Sequence, residues 1–138
     1  MASTFRLRIV TPERVVFDEE VEMAIVPGSE GELGIQANHT AFITSLKPGV
    51  LKVRKEKTEE FERLSCTGGF LHVLNNEVQL LADASEFASD IDIDRALRAR
   101  QRAEERLLSG EDIDVLRAKL ALERALARLR TVGYDEGE

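Results

Sequence analysis

Cysteine, tryptophan and long apolar runs are scarce or missing in this chain, and each absence removes a class of explanation. Cys66 stands alone among 138 residues, so an intrachain disulfide is impossible and zinc sites built on paired cysteines are excluded. Trp is absent and Tyr134 is the single tyrosine, which argues against a large aromatic-lined catalytic cavity. Apolar runs extend only a few residues, far short of the ~20 that a membrane-spanning helix requires. Arg6 and Arg8 interrupt the first ten residues before any signal-peptide core can form, so the expected setting is soluble and intracellular. Cations are the minority, and the formal charge of −7 disfavours general nucleic-acid binding, which relies on a cationic surface. What remains is a chain rich enough in apolar residues (43%) to build one compact domain, with or without a short appendage.

Composition and charge both change near Ser89. Every proline and most glycines precede residue 90, whereas Ala, Leu, Arg and Glu dominate the remainder of the chain. Residues 1–90 carry nine basic and fifteen acidic groups, but residues 91–132 carry ten basic and eight acidic ones. The chain therefore divides into two physically different halves, 1–88 and 89–138.

The first half reads as β structure. Phe5, Leu7 and Ile9 alternate with Arg6 and Arg8, which places three apolar side chains on one sheet face. Further short runs occur at Val15–Phe17, Val21–Val26, Leu33–Ile35, Phe42–Leu46, Val50–Val53, Phe61–Ser65, Phe70–Leu74 and Val78–Leu81. The run to Val26 ends at Pro27-Gly28, and turn signals stand between the runs at Ser29-Glu30-Gly31, Lys47-Pro48-Gly49, Gly68-Gly69 and Asn75-Asn76. This spacing predicts a β-sandwich or flattened barrel. His39 in a polar loop and His72 in an alternating, outward-facing position have no nucleophile or carboxylate pattern around them, so structural or contact roles suit them better than catalysis. Cys66 reads as a small buried residue. Gly31-Glu32-Leu33-Gly34 lacks the lysine and the subsequent helix of a phosphate loop.

The second half reads as an antiparallel two-helix hairpin, giving an α+β chain with segregated halves. Ser89 and Asp92 have the spacing of a capping box, Ser109-Gly110 closes the first helix, Asp112 and Asp114 open the second, and Gly133 stops it. Ile91-Asp92-x-x-Arg95-Ala96 recurs 22 residues later as Ile113-Asp114-x-x-Arg117-Ala118. Val115, Ala118, Leu122, Ala125, Leu129 and Val132 form a heptad seam, which Ala96, Ala99, Ala103 and Leu107 of the first helix can meet. Arg95 and Arg102 share a face with Asp92, and Arg124 and Arg128 share another. A solvated face with Glu–Arg pairs accounts for such charges; a polyphosphate held between two arginine-bearing helices is the sharper alternative.

Taken together, Gly31-Glu32-Leu33-Gly34-Ile35, His39, Leu46-Lys47-Pro48-Gly49-Val50-Leu51, Gly68-Gly69-Phe70-Leu71-x-Val73 and Val78-x-Leu80-Leu81-Ala82-Asp83 closely resemble the epsilon subunit of bacterial F-type ATP synthase. The resemblance runs from about Phe5 to Leu129. It implies a non-catalytic, regulatory and coupling subunit of the central stalk. Its partners would be the gamma subunit, the ring of c subunits and the alpha/beta head. Its place would be the cytoplasmic side of a bacterial membrane, peripheral and attached through the ring, with no nucleic acid involved. The resemblance also implies Glu32 and His39 as partner contacts, and inhibition of ATP hydrolysis by the hairpin when it extends. No cofactor is required and no metal site is implied. ATP, with or without magnesium, is implied as a regulatory ligand at Glu86, Asp92, Arg95, Arg102, Arg124 and Arg128. Two departures stand out. Asn38-His39-Thr40-Ala41 replaces the family's Gly-His-Ala-Pro, with an expected loosening of that loop, and Asp94 adds a negative charge inside the nucleotide motif. A stand-alone nucleotide-sensing module is the competing reading.

Overall fold

The computed structural model describes residues 3–109 and 114–134. Gly110, expected to close the first helix, Asp112, expected to open the second, and Ile113 of the repeated motif lie outside the described residues, as do Asp135, Glu136 and Glu138. Seven strands are followed by a single 3-10 turn (Ala88–Asp90) and two helices, α1 (Ile93–Ser109) and α2 (Val115–Thr131). The strands are β1 (Phe5–Val10), β2 (Val15–Val21), β3 (Met23–Gly28), β4 (Gly31–Gln36), β5 (Phe42–Arg54), β6 (Glu62–Leu74) and β7 (Glu77–Ala82).

Their order in the sheet is β2-β1-β7-β6-β5-β3-β4. All neighbours are antiparallel except β1 and β7, which run parallel with Arg6 opposite Glu77 and Ile9 opposite Leu80. The alternation read from the sequence holds: Phe5, Leu7 and Ile9 are buried and Arg6 and Arg8 are exposed. One apolar cluster draws on all seven strands, with Phe17, Val21, Ile35, Leu51, Leu64, Leu71 and Leu80 at its centre, so the sheet wraps its own core.

Nine short runs were expected and seven strands form, because two of the turn signals lie inside strands. Lys47-Pro48-Gly49 belongs to β5 and Gly68-Gly69 to β6, each thirteen residues long. The two pair along their length from Phe42↔Val73 to Val53↔Glu62. Along β6 the inward residues are Cys66 and then Leu71; along β5 they are Leu46 and then Leu51. A spacing of five is odd, so the inward face changes phase there. Gly68 and Gly69 permit it with φ of +116° and +145°, angles that residues with a side chain rarely adopt. A Cβ on Gly69 would also collide with the carbonyl oxygen of Leu81. The sequence pattern marked a backbone peculiarity here; its form is a change of face within a strand, where a turn was expected.

α2 lies against β5 and β6, and α1 packs on α2. Ala96, Ala103, Ala118 and Ala125 are buried at or near the helix–helix seam, whose small side chains allow close approach. Val115, expected in the seam, is half exposed, whereas Ala127 and Thr131, off the seam, are buried. α2 has two partners, and the heptad pattern revealed only one of them. Arg63 Nη2 of β6 donates to the carbonyl of Arg130 at 3.2 Å, fastening the end of α2 to the sheet. That end closes as expected at Gly133 (φ +78°): Tyr134 N–H donates to Leu129 O and Gly133 N–H to Arg130 O.

Candidate functional site

The segment leaving β7 continues alongside β6. Thr67 N–H donates to Ala84 O, Ser65 N–H donates to Glu86 O, and Ser65 Oγ accepts from Glu86 N–H at 3.1 Å. This fixes the backbone of Glu86 and presents its carboxylate to α2, where Oε1 accepts a hydrogen bond from Arg128 Nε at 2.8 Å. Both side chains are about one third exposed.

The next feature is the start of α1. Ser89 lies in the 3-10 turn and caps no helix, contrary to the capping-box reading. The cap is Asp92, whose Oδ1 accepts from Arg95 N–H at 3.0 Å and whose carbonyl accepts from Ala96 N–H. Asp114 repeats both bonds with Arg117 and Ala118 at the start of α2. The repeated Asp-x-x-Arg-Ala motif is therefore, in local terms, one N-cap used twice.

Between α1, α2 and Glu86 lies a cavity of about 530 Å³. Five of the six expected ligand residues line it: Glu86, Asp92, Arg95, Arg102 and Arg128. Arg124 does not; it is exposed one turn before Arg128. Asp94, expected to place its charge beside this site, is exposed and does not line the cavity either. Arg98 lines it and was not singled out from the sequence as a ligand residue, although it stands three residues after Arg95 and four before Arg102, a spacing that marks a shared face. Ala96, Ala99 and Ala125 form the floor, and their small side chains leave the space open. Four guanidinium groups against two carboxylates give the lining a net charge of +2 in a chain of net −7. Such a chamber suits a polyanion, because guanidinium groups bond phosphate oxygens in pairs.

A second feature lies on the outer face of the sheet. Ile43, Phe70 and Leu81 are 69%, 58% and 48% exposed on three adjacent strands. Phe70 pairs with Ser45 and Leu81, and Ile43 pairs with His72, so the three belong to one apolar face. Its signal in the sequence was an apolar residue at outward positions where a polar one was due. The two expected contact residues fall elsewhere. Glu32 is exposed near the start of the edge strand β4. His39 lies beyond its far end, half-buried, with Nδ1 2.9 Å from Thr40 O and its ring 5.1 Å from that of Phe42. A six-residue strand is about 20 Å long, so these two residues lie well apart along the edge. Asn38 takes the left-handed conformation (φ 62°), and Asn76 Oδ1 accepts its N–H at 2.7 Å, which holds the loop without the missing proline.

Cys66 is fully buried, and burial pushes its thiol up to about 11. No group of three metal-ligating side chains occurs among the described residues, and no helix among them is long and apolar enough to cross a membrane.

Two family models match the chain: the ATP synthase delta/epsilon chain β-sandwich domain over residues 4–88 and the long α-helix domain over residues 89–133. The chain is 47% identical over 131 residues to the ATP synthase epsilon chain of Desulforamulus reducens, covering 94% of this chain and 98% of the relative. It is 43% identical to the ATP synthase epsilon chain of Clostridium novyi, over 96% of this chain and all of the relative. Its fold matches a chain in the structure of the Euglena gracilis mitochondrial ATP synthase, "OSCP/F1/c-ring in rotational state 1", with a TM-score of 0.79 at 23% identity, over 90% of this chain and 78% of that one.

Proposed function

Because this chain belongs to the ATP synthase delta/epsilon family, we propose that it is an epsilon subunit of the central stalk, a coupling and regulatory part without an active site of its own. The sandwich supplies the docking half. Its outer apolar face, with Ile43, Phe70 and Leu81, is suited to the gamma subunit, since exposed apolar surface of this kind is buried in partner contacts. Glu32 and His39, at opposite ends of β4, are suited to two further contacts, with the ring of c subunits among them. Attachment to the membrane then runs through the ring, on the cytoplasmic side.

The hairpin supplies the regulatory half. In its folded form it encloses the arginine-lined cavity, and that cavity is the observation that carries the regulatory reading. ATP placed there is held by arginines of both helices, with Arg95 and Arg102 on α1 and Arg128 on α2. A ligand that binds only this folded form stabilises it by RT ln(1 + [L]/Kd), about 1.4 kcal/mol at tenfold excess over Kd. Opening the hairpin separates the two sets of arginines, so an extended hairpin and bound ATP exclude one another. In the extended form α2 presents its arginines to the alpha/beta head and opposes rotation in the hydrolysis direction.

The test is purification of the tagged chain from solubilised membranes of its host. Gamma and the c ring should accompany it, together with ATPase activity. Recovery of a monomer that binds ATP but carries no stalk subunit would replace this reading with the stand-alone nucleotide sensor.

A further inference from the structure

Resting on the reading of the cavity as a nucleotide site, we infer that Arg98 is one of its phosphate-binding residues and that Arg124 is not. Successive helix residues are turned by about 100°, so Arg95, Arg98 and Arg102 fall within an arc of about 60° on α1. All three reach the cavity, and Ala99 between them leaves room beneath. On α2 the cavity side is set by Ala125 and Arg128. Arg124 is turned about 40° beyond Arg128, away from Ala125; it is exposed and does not line the cavity.

The distribution of counter-charge points the same way. Glu86 already engages Arg128 at 2.8 Å, and the Asp92 carboxylate accepts the Arg95 amide. The free charge of the cavity is therefore weighted toward the α1 arginines, and a triphosphate would find its densest set of donors along Arg95, Arg98 and Arg102. The substrate class is a chain of phosphates, whether carried on a nucleoside or as inorganic triphosphate.

Calorimetry on the full chain, with ATP and with inorganic triphosphate as separate probes, decides this. Arg98→Gln should weaken the binding of both about tenfold or more, as loss of a charge-assisted hydrogen bond does. Arg98→Lys should recover only part of that, because a lysine cannot reproduce the guanidinium fork. Arg124→Gln should stay within about twofold of the unmodified chain. Circular dichroism and the thermal midpoint should be unchanged in all three, which separates a ligand contact from damage to the hairpin. Equal losses for Arg98→Gln and Arg124→Gln would reduce the effect to general charge and overturn the assignment. Loss of ATP with triphosphate binding intact would remove Arg98 from the phosphates and overturn it too. If the unmodified chain binds ATP while Arg98→Gln binds equally well, the cavity reading stands and the assignment of Arg98 falls. If the unmodified chain binds neither probe at millimolar concentration, both fall.

Discussion

Arg128 on α2 and Glu86 on the segment leaving β7 meet at 2.8 Å, 42 residues apart in sequence, and tie the second helix to the sandwich beside the cavity. Each partner is about a third exposed, so the pair contributes no more than about 1 kcal/mol. Glu86→Gln should therefore loosen the docking of α2 slightly, and only at low salt. Hydrogen exchange of the last turn of α2 reports it: protection should fall by less than tenfold and converge with the unmodified chain in high salt. Complete loss of protection would mean that the pair, and not the apolar contact with β5 and β6, holds the helix.

The two N-caps give a comparison within one molecule. Asp92→Ala and Asp114→Ala should each cost about 1 kcal/mol of helix stability, measured by denaturant unfolding. Asp92→Asn should keep the cap and hence the stability, because Asn accepts the same amide. It removes the charge from the cavity alone, so any change in ATP affinity in that variant belongs to the ligand. A large stability loss with Asn would show that the Asp92 charge matters to the fold.

Gly69→Ala should be among the most damaging single changes in the sandwich, at roughly 3 kcal/mol or more. It forces a side chain to φ +145° and into the Leu81 carbonyl at once. Gly31→Ala is the control: its φ is +135°, but nothing lies within 4 Å of the added carbon. It should cost only the backbone strain, on the order of 1 kcal/mol. Similar midpoints for the two variants in a thermal melt would refute the steric contribution at Gly69.

The apolar core is built from β1 to β7 without the helices. Truncation after Ala88 should leave a sandwich that unfolds cooperatively and still joins the stalk, while ATP hydrolysis by the assembled complex rises. Failure to assemble would make the hairpin an anchor.

Cys66 adds a pH dependence of predictable sign. Its thiol is raised from 9.0 to about 11 by burial, so the folded chain holds the proton more tightly than the unfolded one. That contribution to stability is complete below about pH 9 and is lost as the pH rises toward 11, on the order of 2 kcal/mol. Cys66→Ala should flatten this part of the stability profile, and the native thiol should resist thiol reagents at about pH 8 until the chain unfolds. Rapid labelling of the folded protein would contradict the burial.

The sheet was legible because its inward positions are strictly apolar: Phe5, Leu7 and Ile9, or Val78 and Leu80, assign faces unaided. The continuity of β5 and β6 was not, since Pro48-Gly49 and Gly68-Gly69 carry the same local signature in a turn and in a strand that changes face. Only pairing between residues distant in sequence, such as Gly49 with Cys66, distinguishes the two cases. Asp92, Arg95, Arg102 and Arg128 were marked by motif and spacing and Glu86 by the resemblance, and all five line the cavity, but the absence of Arg124 from that lining was not legible. It depends on how α2 sits between α1 and the sheet, and no helix-to-helix pattern contains the contact with the sheet. Arg98 lies within the seven-residue interval from Arg95 to Arg102 and on the same face, but outside the Asp-x-x-Arg-Ala motif that marks the site.

The parallel neighbour of β1 has a consequence for the order in which the protein can be made. Among the described strands β1 is the first to be translated and its partner β7 the last. Until residues 77–82 appear, β1 can pair only with β2, and one flank of it stays open. β7 seals the sandwich once it is free to pair with β1 and β6. The half suited to docking thus closes when two flanks far apart in sequence meet, and nothing in that closure calls on the hairpin.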